Sequence, residues 1–216
     1  ARNLRPTHSP KDVYGSAYSY MGRLCWSHPG VGDVLRFGRR STTSLLSPVS
    51  DRCTSMNDPV AEFADAASRF IGWCDGMPGN GVPEARAALG HVAELYHLAL
   101  PLRELEDAPE ADGDRISLEQ WQAVFQRFAS LPFNYYTSVF DPRIADGIDS
   151  EAGVGDLADD LADIYRDLHG GLRAFRAGAV DTAEYEWAWS FRMHWGRHAA
   201  SALHALHCWF ADEAAW

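Results

Sequence analysis

The run Asp156-Leu157-Ala158-Asp159-Asp160-Leu161-Ala162-Asp163-Ile164-Tyr165-Arg166-Asp167-Leu168 decides the fold. Leu157, Leu161, Ile164, Leu168 and, one turn on, Leu172 recur at three- and four-residue intervals, the spacing of one stripe of an α-helix. At about 100° per residue, Asp156, Asp160, Asp163 and Asp167 fall within an arc of about 60°, roughly 120° from that stripe. One element therefore carries an apolar face and an acidic face. The helix is expected to run from Gly155 to Ala177, with Gly178 as its stop.

The same period recurs outward from it. Phe63, Ala67, Phe70 and Cys74 form a stripe over Asp58 to Asp75, and Leu89, Val92, Tyr96 and Ala99 form another between Pro83 and Pro101. Ser117 with Gln120 has capping-box spacing and opens a helix whose buried side is Trp121, Val124, Phe125 and Phe128, ending near Leu131–Pro132. A last long helix spans Thr182 to Ala214. No run of alternating β-branched residues competes with these periods. The aromatic segment from Phe133 to Pro142, with Tyr135, Tyr136 and Phe140, reads as a short helix or a packed loop over the bundle. The expected fold is all-α, a bundle of four main helices plus that short aromatic helix or packed loop.

A chain of 216 residues with 46% hydrophobic content can bury a core, which excludes wholesale disorder. No apolar run reaches the roughly 18 to 20 residues of a membrane span, so no membrane association and a soluble, cytoplasmic protein are expected. Charge divides the chain. Residues 1–55 sum to +5 and the remainder to −16. The basic part lacks helical period and is expected to be a disordered extension, open to the reading that it lies outside the natural product, with residues 56–216 forming the helical domain. A domain near −16 repels phosphates, which disfavours nucleic acid as a partner. Cys25, Cys53, Cys74 and Cys208 include no C-x-x-C or zinc spacing, in keeping with an intracellular protein without disulfides.

Several constellations could carry chemistry. Early aspartates suit the positive end of a helix dipole, which accounts for Asp156, Asp159 and Asp160; Asp163 and Asp167 lie too deep for that, with only Arg166 and Arg173 near in sequence to offset them. A divalent cation held by Asp160, Asp163 and Asp167 would relieve the repulsion, as would an arginine from another helix or a basic partner. His194 and His198, four apart, share a helical face, and could ligate one metal or act as acid and base; equally they could be core-edge histidines bonded to other helices. Glu94-x-x-His97 has the spacing of di-iron bundle proteins, but the chain holds no second Glu-x-x-His. Trp187, Trp189 and Trp195 suit either a ligand cage or a core. Serine-hydrolase and nucleotide-binding motifs are absent, and Lys11 is the single lysine.

Three further blocks complete the picture: Phe133-Asn-Tyr-Tyr-Thr-Ser-Val-Phe-Asp-Pro142, Asp159-Asp-Leu-Ala-Asp-Ile-Tyr-Arg-Asp-Leu168, and Ser190-Phe-Arg-Met-His-Trp-Gly-Arg-His198 with Ala205-Leu-His207. Together they resemble the bacterial family catalogued as domain of unknown function 5063, over Asp58 to Phe210. The resemblance implies a small, soluble, helical bacterial protein and no particular reaction. Its blocks include Asp160, Asp163, Asp167, Trp195 and His207. His204 stands where members carry arginine, so no anion-binding role follows there.

Two functional readings result. In the first the protein is an accessory or protein-interaction module, partnered by another protein or by itself as a homodimer, with an Asp–Arg or Asp–His network joining the last two helices through Arg192, Arg197 or the histidines. In the second it is a metal-dependent enzyme acting on a small phosphorylated substrate through the acidic face. Convergence of that face with Glu94, His194 or His198 on a pocket would favour the second.

Overall fold

The computed structural model describes residues 58–105, 116–139 and 152–213. The expected basic extension over residues 1–55 lies outside these. Among the described residues the chain is mostly helical: α1 (Pro59–Cys74), α2 (Gly81–Ala99), α3 (Leu118–Arg127), β1 (Tyr135–Val139), β2 (Ala152–Asp156), α4 (Leu157–Arg176), α5 (Val180–Ser190) and α6 (Gly196–Asp212). A π turn, Phe191–Trp195, joins α5 to α6 with helical backbone throughout, so the two form one rod and the described residues hold five. None of these helices is long and apolar enough to cross a membrane.

Local chemistry sets the ends. Asp58 Oδ1 accepts from the Val60 amide at 3.0 Å ahead of Pro59, where a missing N–H costs nothing. The Ser117–Gln120 capping box forms as its spacing predicts, with bonds of 3.2 and 2.9 Å. Gly178 (φ 83°) closes α4: its amide reaches Phe175 O and that of Ala179 reaches Ala174 O, both at 2.9 Å, a left-handed turn that glycine enters without a Cβ penalty.

α4 is the hub, packing against α1, α3, α5 and α6, while α2 closes the bundle against α1 and α6. Its leucine stripe is fully buried, as are Phe63, Phe70 and Phe128 from the stripes of α1 and α3. Gly171 on α4 lets α5 approach, since a Cβ there would lie 2.3 Å from Trp187 Nε1, which donates to Leu168 O at 3.1 Å. Between α1 and α3, Arg127 lies over Trp73 and Phe128 and pairs with Glu84 of α2.

The aromatic segment departs from expectation. Tyr135–Val139 is a strand, paired antiparallel with Ala152–Asp156 in the register Tyr136↔Gly155 and Thr137↔Val154. Its exposure alternates along the strand, the period-two pattern of tyrosine, threonine and valine on a half-covered ribbon. Its partner is rich in glycine and remote in sequence, so the local composition of neither segment announced the pair.

His91 gives a test of packing. It stacks on Trp73 (centroids 5.0 Å, planes 30° apart), and burial holds its pKa below the usual histidine value. The unfolded chain then takes up the proton first, so this contribution to stability is lost as pH falls through about 6.5. His91→Phe is expected to unfold at a midpoint that gains on the parent between pH 7 and pH 5; a pH-independent difference in urea unfolding would contradict the assignment.

Candidate metal centre

The acidic face of α4 and the histidines of the last rod meet. Asp156 caps α4, accepting from the Ala158 amide at 3.0 Å, and the next turns present Asp160, Asp163 and Asp167. All three are buried or nearly so. Opposite them lie His194, in the π turn, and His198, in α6, with ring centroids 4.7 Å apart. The π turn depends on Gly196, whose amide reaches back to Phe191 O; a Cβ at this position would sit 2.3 Å from that oxygen. π turns insert one extra residue into a helix, and here the insertion falls on a histidine of the cluster.

Each imidazole is gripped through Nδ1. His198 Nδ1 is 2.8 Å from Asp160 Oδ1, and His194 Nδ1 is 2.7 Å from Asp167 Oδ2. A carboxylate accepts and does not donate, so in the neutral rings the proton sits on Nδ1 and the lone pair on Nε2. Both Nε2 atoms then lie 3.6 Å from one atom, Asp163 Oδ2. That distance is too long for a hydrogen bond and close to the roughly 3.4 Å separation of two ligands on a tetrahedral ion with bonds near 2.1 Å. Asp163, His194 and His198 each offer one ligand atom, all within 4.8 Å of one another.

The other oxygen of Asp163 is occupied. Trp121 Nε1 donates to Oδ1 at 2.8 Å and Arg166 reaches it at 3.0 Å, with Arg166 Nε also 3.6 Å from Asp167. Asp163 is thereby held to present Oδ2 alone. On the far side of Asp160, Tyr136 of β1 donates to Oδ2.

Burial pushes the Asp160 carboxyl up, against the hydrogen bonds from His198 and Tyr136. Asp159 is pushed up to about 6, chiefly by burial and then by Asp163. Burial alone would lower His198, but its bond to Asp160 and the charges of Asp160, Asp163 and Asp159 win, and its pKa is raised.

The acidic row is thus distributed between two roles: Asp163 faces the convergence point, while Asp160 and Asp167 face the backs of the rings. The Asp–His network between α4 and the last rod is present; arginine enters it through Arg166 of α4 itself, whereas Arg192 pairs with Glu104. Glu94 is elsewhere, 2.7 Å from Arg69 of α1. Trp195 is fully buried against Phe63 and Phe191, at 6.0 and 4.8 Å, and belongs to the core. His207 is exposed, nine residues along α6 from His198. Trp121 and Tyr136 had no chemical signal in the sequence beyond being aromatic; Tyr136 is brought to Asp160 by the pairing of residues 135–139 with 152–156.

A five-rod helical bundle with a small β-ribbon and an interhelical His/Asp cluster is the class this structure defines. Within it, the chain belongs to the family described as Domain of unknown function (DUF5063), which matches residues 54–212. The fold is similar to that of protein BF1032 from Bacteroides fragilis, known from its crystal structure: TM-score 0.53, 20% identity, covering 70% of this chain and 95% of that one. Comparison with curated proteins returns no match.

Proposed function

We propose that the protein is a metal-dependent enzyme whose centre is Asp163 Oδ2, His194 Nε2 and His198 Nε2, holding one divalent transition-metal ion. The observation that carries this reading is the shared orientation of the two imidazoles, Nδ1 on a carboxylate and Nε2 toward a third ligand atom. Carboxylate–histidine pairs of this kind fix the tautomer and raise the basicity of metal ligands. Two imidazoles and one carboxylate suit zinc or ferrous iron better than Mg²⁺, which prefers oxygen ligands and keeps its waters. Three protein ligands leave positions for water and substrate, and both rings remain partly exposed, with side-chain accessibilities of 28% and 20%. Such an ion activates bound water or polarises a substrate oxygen.

Asp160 and Asp167 accordingly orient ligands and do not bind the ion. The buried free thiol of Cys74 supports a reducing, cytoplasmic setting, and the similarity to a Bacteroides protein supports a bacterial one. The interaction-module reading keeps one observation of its own: Trp189 and Met193, one turn apart, are 44% and 64% exposed.

The test is calorimetric titration of the full chain with Zn²⁺, Mn²⁺ and Mg²⁺, with thermal unfolding alongside. One Zn²⁺ per chain is expected, adding about 2.7 kcal/mol of stability at 100 times its dissociation constant. The His194→Ala, His198→Ala double variant should lose both effects. Absence of saturable binding in the parent, or equal binding by the double variant, would refute the centre.

A further inference from the structure

The β-ribbon reaches the centre through Tyr136. Tyr136 on β1 donates its hydroxyl proton to Asp160 Oδ2, whose other oxygen holds His198 Nδ1 at 2.8 Å, and His198 Nε2 in turn faces Asp163. The ring occupies a notch that exists because the residue opposite it in the register is Gly155: a Cβ there would lie 2.3 Å from Tyr136 Cζ. Leu157, which opens α4, donates its amide to Asn134 O at 2.8 Å, so the base of the ribbon and the start of the acidic helix move together.

We infer that Tyr136 is a positioning residue of the metal centre: by holding Asp160 it sets the tilt of His198, so that the seating of the β-ribbon tunes metal affinity. This rests on the centre proposed above and adds to it a control point. A carboxylate bonded on one oxygen only can swing about its Cβ–Cγ axis and carry the imidazole with it; bonded on both, it cannot. Outer partners of metal-ligating histidines act in this way and their loss typically weakens binding 10- to 100-fold. Tyr136 stands one bond further out, and about tenfold is expected.

The experiment compares Co²⁺ and Zn²⁺ titrations of the full chain in the parent, Tyr136→Phe and Gly155→Ala. Phenylalanine keeps the ring in its notch and removes only the hydroxyl; alanine at 155 keeps the hydroxyl and displaces the ring. Both should bind about tenfold more weakly, and both should show shifted visible absorption of the bound Co²⁺ at saturation, which a loss of fold stability alone would not produce. Parental affinity and spectrum in Tyr136→Phe would overturn the positioning role and leave the metal centre standing. No binding by the parent would overturn both.

Discussion

Arg127→Met lowers the unfolding free energy by about 3–5 kcal/mol, the loss expected when one partner of a buried ion pair is removed. Arg127 NH1 and Glu84 Oε1 meet at 2.6 Å as an ion pair without the alignment of a hydrogen bond, and both side chains are almost fully buried, at 6% and 10% exposure. The guanidinium is further held by Gly76 O at 3.3 Å and by the faces of Trp73 and Phe128, at 4.7 and 4.5 Å. Removing it leaves the Glu84 charge buried beside apolar rings without its cation, with the N-terminal turn of α2 as a partial offset. Methionine fills much of the volume, so the loss reports charge and not a cavity. The double variant Arg127→Met, Glu84→Met should recover most of the stability, because the cost of the single change lies in the stranded partner. Urea unfolding of the three variants measures the cycle. A loss below about 1 kcal/mol in Arg127→Met would show that water reaches Glu84.

Asp160→Asn and Asp167→Asn each weaken Zn²⁺ binding by about 10- to 100-fold. In the proposed centre neither residue offers an atom to the ion; each grips an Nδ1 at 2.8 or 2.7 Å. Asparagine preserves the shape but removes the negative charge that makes the imidazole a better donor, and it can turn its NH₂ toward Nδ1, which favours the wrong tautomer. The two rings lie 4.7 Å apart and would share one ion, so the double change is expected to be non-additive. Asp163→Asn is expected to cost more than either, because it changes a ligand atom. Binding constants from competition with a chelator would decide the order. If Asp160→Asn or Asp167→Asn bound as weakly as Asp163→Asn, the aspartates would be ligands themselves and the division of roles drawn here would be wrong.

The helices were legible because their causes are local. The stripes of Phe63, Ala67, Phe70 and Cys74, and of Leu157, Leu161, Ile164 and Leu168, are period-3.6 patterns that survive any choice of neighbours, and all of these residues are buried. The Ser117 cap and the Gly178 stop are likewise decided within a few residues. The β-ribbon was not legible from residues 133–142, since a strand is made by its partner, and that partner starts at Ala152 with two glycines that carry no propensity for strand. Helical spacing alone did place His194 and His198 together. It could not show that a π turn intervenes, nor which of four aspartates each ring would meet.

By itself, then, the sequence determined an acidic face on one helix, two histidines on another, and the short connection at Gly178 that makes these helices neighbours. Only the tertiary structure decided the chemistry. Asp160, Asp163 and Asp167 are equivalent on a helical wheel and become different once packed: one faces a point shared with two Nε2 atoms, and two face Nδ1. Coordination and hydrogen bonding depend on separations of a few tenths of an ångström between atoms far apart in the chain. Such separations are fixed by how side chains fill the space between helices, which residue spacing along any one helix does not specify.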